Sequence, residues 1–385
     1  MSSVASHVLS SSTRVEWFAV AAPGLETCLF HELSALFPDS ARRSEAGGTT
    51  VWGSLETLFR ANLESRTATR VLLRVGRFRA LHFSELRKKA AALPWPRFAA
   101  PMVRLRVSVA AHKCRLFHSD AIAERVVSAL GDSGVVQTQD PDAPLLHVFA
   151  RGEQDEFLFS VDSSGELLHK RGYRQQDGHA PMRETLAPAL LSLSGFDGQV
   201  ALCDPMCGSG TLAIEAAHLA LLRAPGLLRR FAFFDWPLFS KPVWETLVAH
   251  TKSNERPQPL APIFASDHDP RMVDLARNNA ERANVSQHIV FQTCSVKQLT
   301  LPTVKAGLIV CNPPYGKRLR DGQIVATYRS LFQLVRRHPA FRLFVFTPDP
   351  KLATAAGCPR RVETLHNGGL RVGLFAQPAP PAQPV

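Results

Sequence analysis

The sequence predicts an α/β chain in two parts: a small α+β module, then a doubly wound and largely parallel sheet of about seven strands with helices on both faces. Three observations carry this expectation. The chain has 385 residues, 45% of them hydrophobic, which suits two domains better than one. Beyond residue 200, strand-like and helix-like segments alternate regularly. Before residue 165 the same two patterns are mixed in shorter pieces.

The first 13 residues are polar and lack the basic start and apolar core of a signal peptide. Residues 16–20 read as a strand, and residues 25–37 as a helix with apolar Leu25, Leu29, Leu33 and Leu36 on one face. Helical spacing returns around 58–68. Alternation over 103–109 predicts a strand, and 120–130 a helix. The polar, glycine-containing, proline-terminated stretch 168–181 reads as the connection between domains.

A strand at 200–206 then leads into a helix at 211–222, a strand at 263–267, a helix at 270–283, and strands at 289–293 and 307–311. A helix near 324–337, a strand at 342–346 and two late strands near 362–365 and 370–375 complete the sheet. Asn367-Gly368-Gly369 between the last two is hairpin chemistry. The aromatic-rich insertion 224–262 has no assigned role, and the proline-rich tail from 377 is expected to be disordered. The resulting divisions are 14–54, 55–165, 166–377 and 378–385.

Lysine and arginine total 45 against 33 acidic residues, a net +12, the balance of a chain that meets polyphosphate. Basic residues crowd the first part, with Arg70, Arg74, Arg77, Arg79, Arg87, Lys88, Lys89, Arg104, Arg106, Lys113 and Arg115 among sparse acids. The seven cysteines are scattered without a C-x-x-C pair, which argues against a zinc or disulfide framework and for a reduced, cytoplasmic setting. No run of about 18 apolar residues occurs, so no membrane span is expected, and no metal is needed.

Two motifs carry chemistry. The first is Asp204-Pro205-Met206-Cys207-Gly208-Ser209-Gly210-Thr211, a strand end followed by a glycine turn that opens a helix. Gly208 and Gly210 are expected to let backbone approach a ligand where a Cβ would collide. The spacing to Ala213 also fits the loose dinucleotide fingerprint, so a nicotinamide enzyme competes. Against it, the next strand-end acid, Asp267, lies more than twice the usual ~20 residues downstream, and Asp204 precedes the glycines. Asp204 there suits the aminoacyl end of S-adenosylmethionine, and Asp267 can accept both ribose hydroxyls. Asp269-Pro270 reads as a helix cap.

The second motif, Cys311-Asn312-Pro313-Pro314-Tyr315-Gly316, follows an apolar strand, at the end where parallel sheets bind ligands. An exocyclic base amine is a poor nucleophile because its lone pair is delocalised. The Asn312 amide oxygen and the Pro313 carbonyl can accept its two N–H bonds, the paired prolines stiffen the loop, and Tyr315 offers a ring for an unstacked base. Cys311 reads as strand packing rather than a nucleophile.

In this order, the two motifs resemble the amino-group methyltransferases. Further similarity to the THUMP-bearing RNA guanine-N2 methyltransferases comes from Ala22-Pro23-Gly24-Leu25-Glu26, the stretch from Lys113-Cys114-Arg115 through His118-Ser119-Asp120 to Arg125, His169-Lys170-Arg171-Gly172-Tyr173-Arg174 with Ala180 to Ala187, and Leu365-His366-Asn367-Gly368. The resemblance covers nearly the whole chain and is strongest to the bacterial large-subunit ribosomal RNA enzymes, here expected to lack the second methyltransferase domain of fused members.

It implies a Rossmann-like, seven-stranded class I methyltransferase domain behind a ferredoxin-like and THUMP module. S-adenosylmethionine would be held by Asp204, Cys207, Gly208, Gly210, Thr211, Asp267, Ser295 and Asn312, with the segment from Pro181 to Glu184 edging the pocket. Catalysis would fall to Asn312, Pro313, Pro314 and Tyr315, and RNA contact to Lys113, Arg115, His118, Lys317 and Arg318. Ser295 departs from the family pattern, which places an acid there for the adenine amino group; a hydroxyl accepts that bond more weakly.

The expected reaction is methylation of a guanosine N2, in large-subunit ribosomal RNA. A transfer RNA guanine-N2 enzyme and an adenine-N6 enzyme share the loop chemistry. From another class, a non-catalytic RNA-binding assembly factor would share the basic first part without a cofactor response.

Overall fold

The computed structural model describes residues 14–174, 182–314, 321–367 and 370–378, and they divide into two units, each assembled from separate stretches of chain. The first unit takes residues 14–21, Leu29–Leu168 and Arg229–Ala249. The second takes Ala22–Cys28, His169–Leu228 and the chain from His250 on.

In chain order the first unit carries β1 (Val15–Val20), α1 (Glu26–Leu36, whose first residues fall in the second unit), β2 (Ala41–Glu45), β3 (Gly48–Gly53), α2 (Leu55–Glu64) and β4 (Arg70–Arg79). It continues with α3 (Phe83–Ala91), β5 (Arg104–His112), α4 (Ser119–Asp132), β6 (Leu145–Glu153) and β7 (Glu156–Asp162). All seven strands form one sheet in the order β2-β3-β1-β4-β7-β6-β5. β4 pairs with β1 on one side and β7 on the other, so hydrogen bonding runs unbroken across it.

The helical stripe expected for residues 25–37 is divided between the units. Leu29 and Leu33 enter the first core beside Trp17 and Val51, while Leu25 enters the second. α2 starts where Ser54 accepts a hydrogen bond from Thr57 N at 3.2 Å, an N-cap that satisfies one orphan donor of the first turn.

The insertion without an assigned role supplies core to the first unit. Phe231, Phe233 and Trp236 are buried there, with Phe233 stacked on Phe59 at 4.4 Å and Trp236 edge-on to Phe98 at 5.4 Å. Arg229 ties this stretch to the end of the first unit by donating to the carbonyls of Leu167 at 2.8 Å and Ser164 at 3.2 Å. α7 (Lys241–Ser253) follows it and crosses from the first unit to the second.

The second unit holds α5 (Leu186–Ser194), β8 (Ala201–Asp204), α6 (Thr211–Ala220), β9 (Ile263–Asp267), α8 (Pro270–Arg282), β10 (Ile289–Thr293) and β11 (Gly307–Cys311). After these come α9 (Asp321–Arg337), β12 (Phe341–Thr347), α10 (Pro350–Ala355), β13 (Arg360–Asn367) and β14 (Leu370–Ala376). The sheet order is β10-β9-β8-β11-β12-β14-β13, parallel except at β14, which runs antiparallel to β12 and β13. Central β8 and β11 are buried along their whole length, as parallel strands covered on both faces must be.

The order reverses direction between β8 and β11, the topological switch point at which open α/β sheets take their ligands. Asp269 caps α8 as its sequence position implied, accepting from Arg271 N at 3.0 Å with Pro270 in the first turn. No described helix is long and apolar enough to cross a membrane.

Replacing Phe233 with Ala should cost about 3–5 kcal/mol, the range for emptying a buried aromatic site. Denaturant unfolding checks this, and an unchanged midpoint would remove the insertion from the first unit's core.

Candidate active site

The turn after β8 is anchored from two sides. Cys207 N donates to Ser266 O at 2.9 Å and Gly208 N donates to Asp267 Oδ2 at 3.1 Å, joining the turn to the end of neighbouring β9. From the other side, Asn279 of α8 donates to Ser209 O at 3.0 Å and is itself held by Arg282 at 2.6 Å.

The two glycines do different work. Both have positive φ, +52° at Gly208 and +84° at Gly210. A Cβ on Gly208 would meet no atom of the described residues beyond its chain neighbours within 4 Å, which leaves space beside it for a ligand. A Cβ on Gly210 would lie 2.8 Å from the Ala276 Cβ and 3.1 Å from its Cα. Gly210 therefore lets α6 and α8 pack closely.

Two carboxylates flank the turn. Asp204, 4% exposed, accepts from Met206 N at 3.3 Å. Burial pushes its carboxyl up to about 7 against the lowering effect of that bond, and the charge on Asp267 adds to the rise. Asp267, 8% exposed, accepts at Oδ2 from Gly208 and at Oδ1 from Asp269 N at 3.1 Å, with His268 Nδ1 at 3.0 Å. Oδ2, with one donor, keeps a further lone pair for a hydroxyl.

Across the switch point, Asn312 follows the last residue of β11. Its side-chain Oδ1 is buried and meets no hydrogen-bond donor among the described residues. An unpaired buried acceptor costs about 1–3 kcal/mol, so it marks a place where a donor belongs. Cys311, 1% exposed, packs in the core with Cys203 and Tyr328, and burial raises its thiol well above the ordinary range. That is the environment of an inert thiol.

A buried polar cluster beneath the turn escaped sequence reasoning. Arg174 donates to Thr211 Oγ1 at 2.5 Å and to Met182 O at 2.9 Å, and its Nε lies 3.5 Å from Glu184. Arg171 lies 3.4 Å from Glu215, which also accepts from the Tyr173 hydroxyl at 3.1 Å. The readable signal was Glu215, a charge within an otherwise apolar helix.

Ser295 follows β10 and donates to Gln298 Oε1 at 2.9 Å. Lys113, Arg115 and His118 lie in the first unit on the exposed loop between β5 and α4, where Arg115 N donates to Asp155 at 2.6 Å and His118 rests against Phe117. Tyr315, Lys317, Arg318 and Pro181 lie outside the described residues.

The sheet order and the two strand-end loops define the second unit as a Rossmann-like methyltransferase domain, preceded in the chain by ferredoxin-like and THUMP parts. Residues 171–372 match the model for the "RMKL-like, methyltransferase domain", residues 16–72 the RlmL ferredoxin-like domain and residues 81–162 the THUMP domain. The chain belongs to this RMKL-like methyltransferase family.

It is 31% identical over 374 residues to the putative RNA methyltransferase slr0064 of Synechocystis sp., covering 95% of this chain and 97% of that one. Over 383 residues it is 34% identical to the ribosomal RNA large subunit methyltransferase K/L of Syntrophotalea carbinolica, covering 94% of this chain and 53% of that protein, so it spans about half the length of that relative. Among solved structures, SMU.472, a putative methyltransferase complexed with SAH, matches with a TM-score of 0.85 at 27% identity, covering 96% of this chain and 99% of that one.

The two glycines separate by substitution. Gly208→Ala should fold with a loss of about 1–2 kcal/mol, the cost of left-handed backbone, and lose ligand affinity. Gly210→Ala adds overpacking of about 1–3 kcal/mol to the same strain. Thermal unfolding and ligand titration of both variants check this; equal stability would refute the assignment.

Proposed function

We propose that this chain transfers a methyl group from S-adenosylmethionine to an exocyclic amine of RNA, the N2 of a guanosine in large-subunit ribosomal RNA. The observation that carries the reading is the buried Oδ1 of Asn312 at the switch point, which meets no donor among the described residues. The names of the relatives support RNA as the class of substrate, and seven free cysteines support a reducing, cytoplasmic setting.

The residues present fit the cofactor. Asp204 is a buried carboxyl without a cation partner among the described residues, suited to the ammonium of the aminoacyl end. Asp267 has acceptor capacity left for the ribose, open space adjoins Gly208 among the described residues, and Ser295, after β10, would accept from the adenine amino group. Cys207 and Thr211 shape the turn, with Thr211 held by Arg174. When bound, S-adenosylmethionine supplies an electrophilic methyl group on sulfur. Asn312 Oδ1 and the Pro313 carbonyl accept the two amine N–H bonds, turning the nitrogen lone pair toward that carbon. Pro314 stiffens the loop and Tyr315 stacks the flipped base. Lys113, Arg115, His118, Lys317 and Arg318 meet the RNA backbone.

Labelled methyl transfer to purified ribosomal and transfer RNA, followed by nucleoside analysis, tests the reaction. N2-methylguanosine from large-subunit RNA is expected. N6-methyladenosine, or label in transfer RNA alone, would reassign the substrate, and RNA binding without label would make the chain a binding factor. Asn312→Ala should lower kcat roughly 10²–10³-fold, the range for removing one preorganised hydrogen-bonding group, while leaving cofactor affinity intact. Cys311→Ala should keep its turnover.

A pH dependence follows from Asp204. A carboxyl raised to about 7 is protonated below that pH and cannot pair with an ammonium. Cofactor affinity should therefore rise with pH between 5.5 and about 7, and Asp204→Asn should bind more weakly without that rise. Calorimetric titrations across this range decide it; the same slope in both proteins would exclude Asp204 as its source.

A further inference from the structure

The last two strands of the second unit enclose a cleft that the proposed reaction has not used. It has a volume of about 200 Å³ and is lined by Pro348, Arg361, Thr364, Arg371, Gly373 and Phe375. That is below the roughly 300–1,000 Å³ of small-molecule pockets, yet ample for a single phosphodiester group.

Its chemistry is cationic. No carboxylate lines it, and neither Arg361 nor Arg371 forms an ion pair among the described residues. Arg361 lies over the Phe375 ring at 5.3 Å, a contact that steadies the guanidinium without neutralising it. Gly373 lets that ring lie across the strand, since a Cβ there would come within 2.5 Å of it. The nearest acid in sequence, Glu363, accepts from Thr364 N at 2.9 Å. Two guanidinium forks and a hydroxyl form a donor set suited to phosphate oxygens. Most arginines singled out in the first unit are, by contrast, paired with acids.

Its position fits a substrate strand. Thr364 pairs with Gly373, and Gly373 with Thr347 at the carboxyl end of β12. β12 adjoins β11, which Asn312 follows, so the cleft opens at the sheet end that carries Asn312. Three strand spacings of ~4.8 Å put the two about 14 Å apart.

We infer that Arg361, Arg371 and Thr364 form a subsite for one backbone phosphate of the RNA, flanking the base presented to Asn312. The inference rests on the proposed RNA methyltransferase activity.

Arg361→Ala, Arg371→Ala, the double variant and Arg361→Lys test it, with protein-free large-subunit ribosomal RNA as the probe. Binding is measured against salt concentration, alongside methyl transfer and S-adenosylmethionine affinity. Each alanine variant should weaken RNA binding severalfold. The double variant should flatten the slope of log K against log salt by about 0.7–0.9, one phosphate and not two. Arg361→Lys should keep most of the slope, and cofactor affinity should stay at the wild-type value. Wild-type RNA affinity and slope in the double variant, with the wild type methylating RNA, would overturn the subsite and leave the activity standing. A loss of cofactor affinity in step with RNA affinity would overturn it too, by making the arginines structural. If the wild type neither binds nor methylates RNA, both readings fall.

Discussion

One carboxylate fixes the geometry on which the site depends. Asp267 accepts from Gly208 N with one oxygen and from Asp269 N with the other, while Cys207 N reaches Ser266 O. The end of β9, the turn after β8 and the cap of α8 are thereby held by three hydrogen bonds over a few residues. Bonds to a charged acceptor contribute about 1.5–3 kcal/mol each, a large share of the 5–15 kcal/mol that a domain has in total. The left-handed backbone at Gly208 and the entry angle of α6 both follow from this tie, as does the open space beside the glycine.

Beneath the turn, the balance between burial and pairing is visible in a single group. Arg174 stands 3.5 Å from Glu184 and would by itself hold that carboxyl low. Burial outweighs it, and the Glu184 carboxyl sits at about 7. Arg171 and Tyr173 meet Glu215 in the same cluster, so the charges taken out of water there are compensated by one another. The cluster joins residues 171–174 and 182–184 to the first turn of α6. A cluster of this kind adds little net stability, because desolvation offsets attraction; its effect is to fix one arrangement of the chain around the glycine turn.

The parallel sheet was legible because its strands are short, apolar and separated by helices of clear period. Both chemical motifs were legible for a related reason, since each sits where a buried strand meets a turn. Other features depend on partners distant in sequence. The β2–β3 hairpin and strands β6 and β7 pass for mixed pattern until the continuous sheet pairs them. Phe231 and Phe233 interrupt the second domain in sequence, yet Phe233 packs against Phe59 of the first unit and Phe231 stacks on Phe233. Gly210 fits a ligand-binding fingerprint, and its close approach to Ala276, 66 positions later by the numbering of the two residues, is a second constraint that local sequence does not display.

Charge shows most clearly why composition reaches a class of partner before it reaches a surface. The basic run from Arg70 to Arg115 looked like one positive field. Arg70 pairs with Asp162, Arg74 with Glu16 and Glu45, and Arg87 with Asp132. Arg104 points its Nε at the Ala143 carbonyl. An arginine bound to a carboxylate presents no net charge to a phosphate, whereas one laid on an aromatic ring keeps all of it. The excess that sequence counting finds is therefore unevenly available: Arg70 and Arg74 lie over Phe149 and Phe18 yet are paired with acids, whereas Arg361 lies over Phe375 with no acid partner among the described residues.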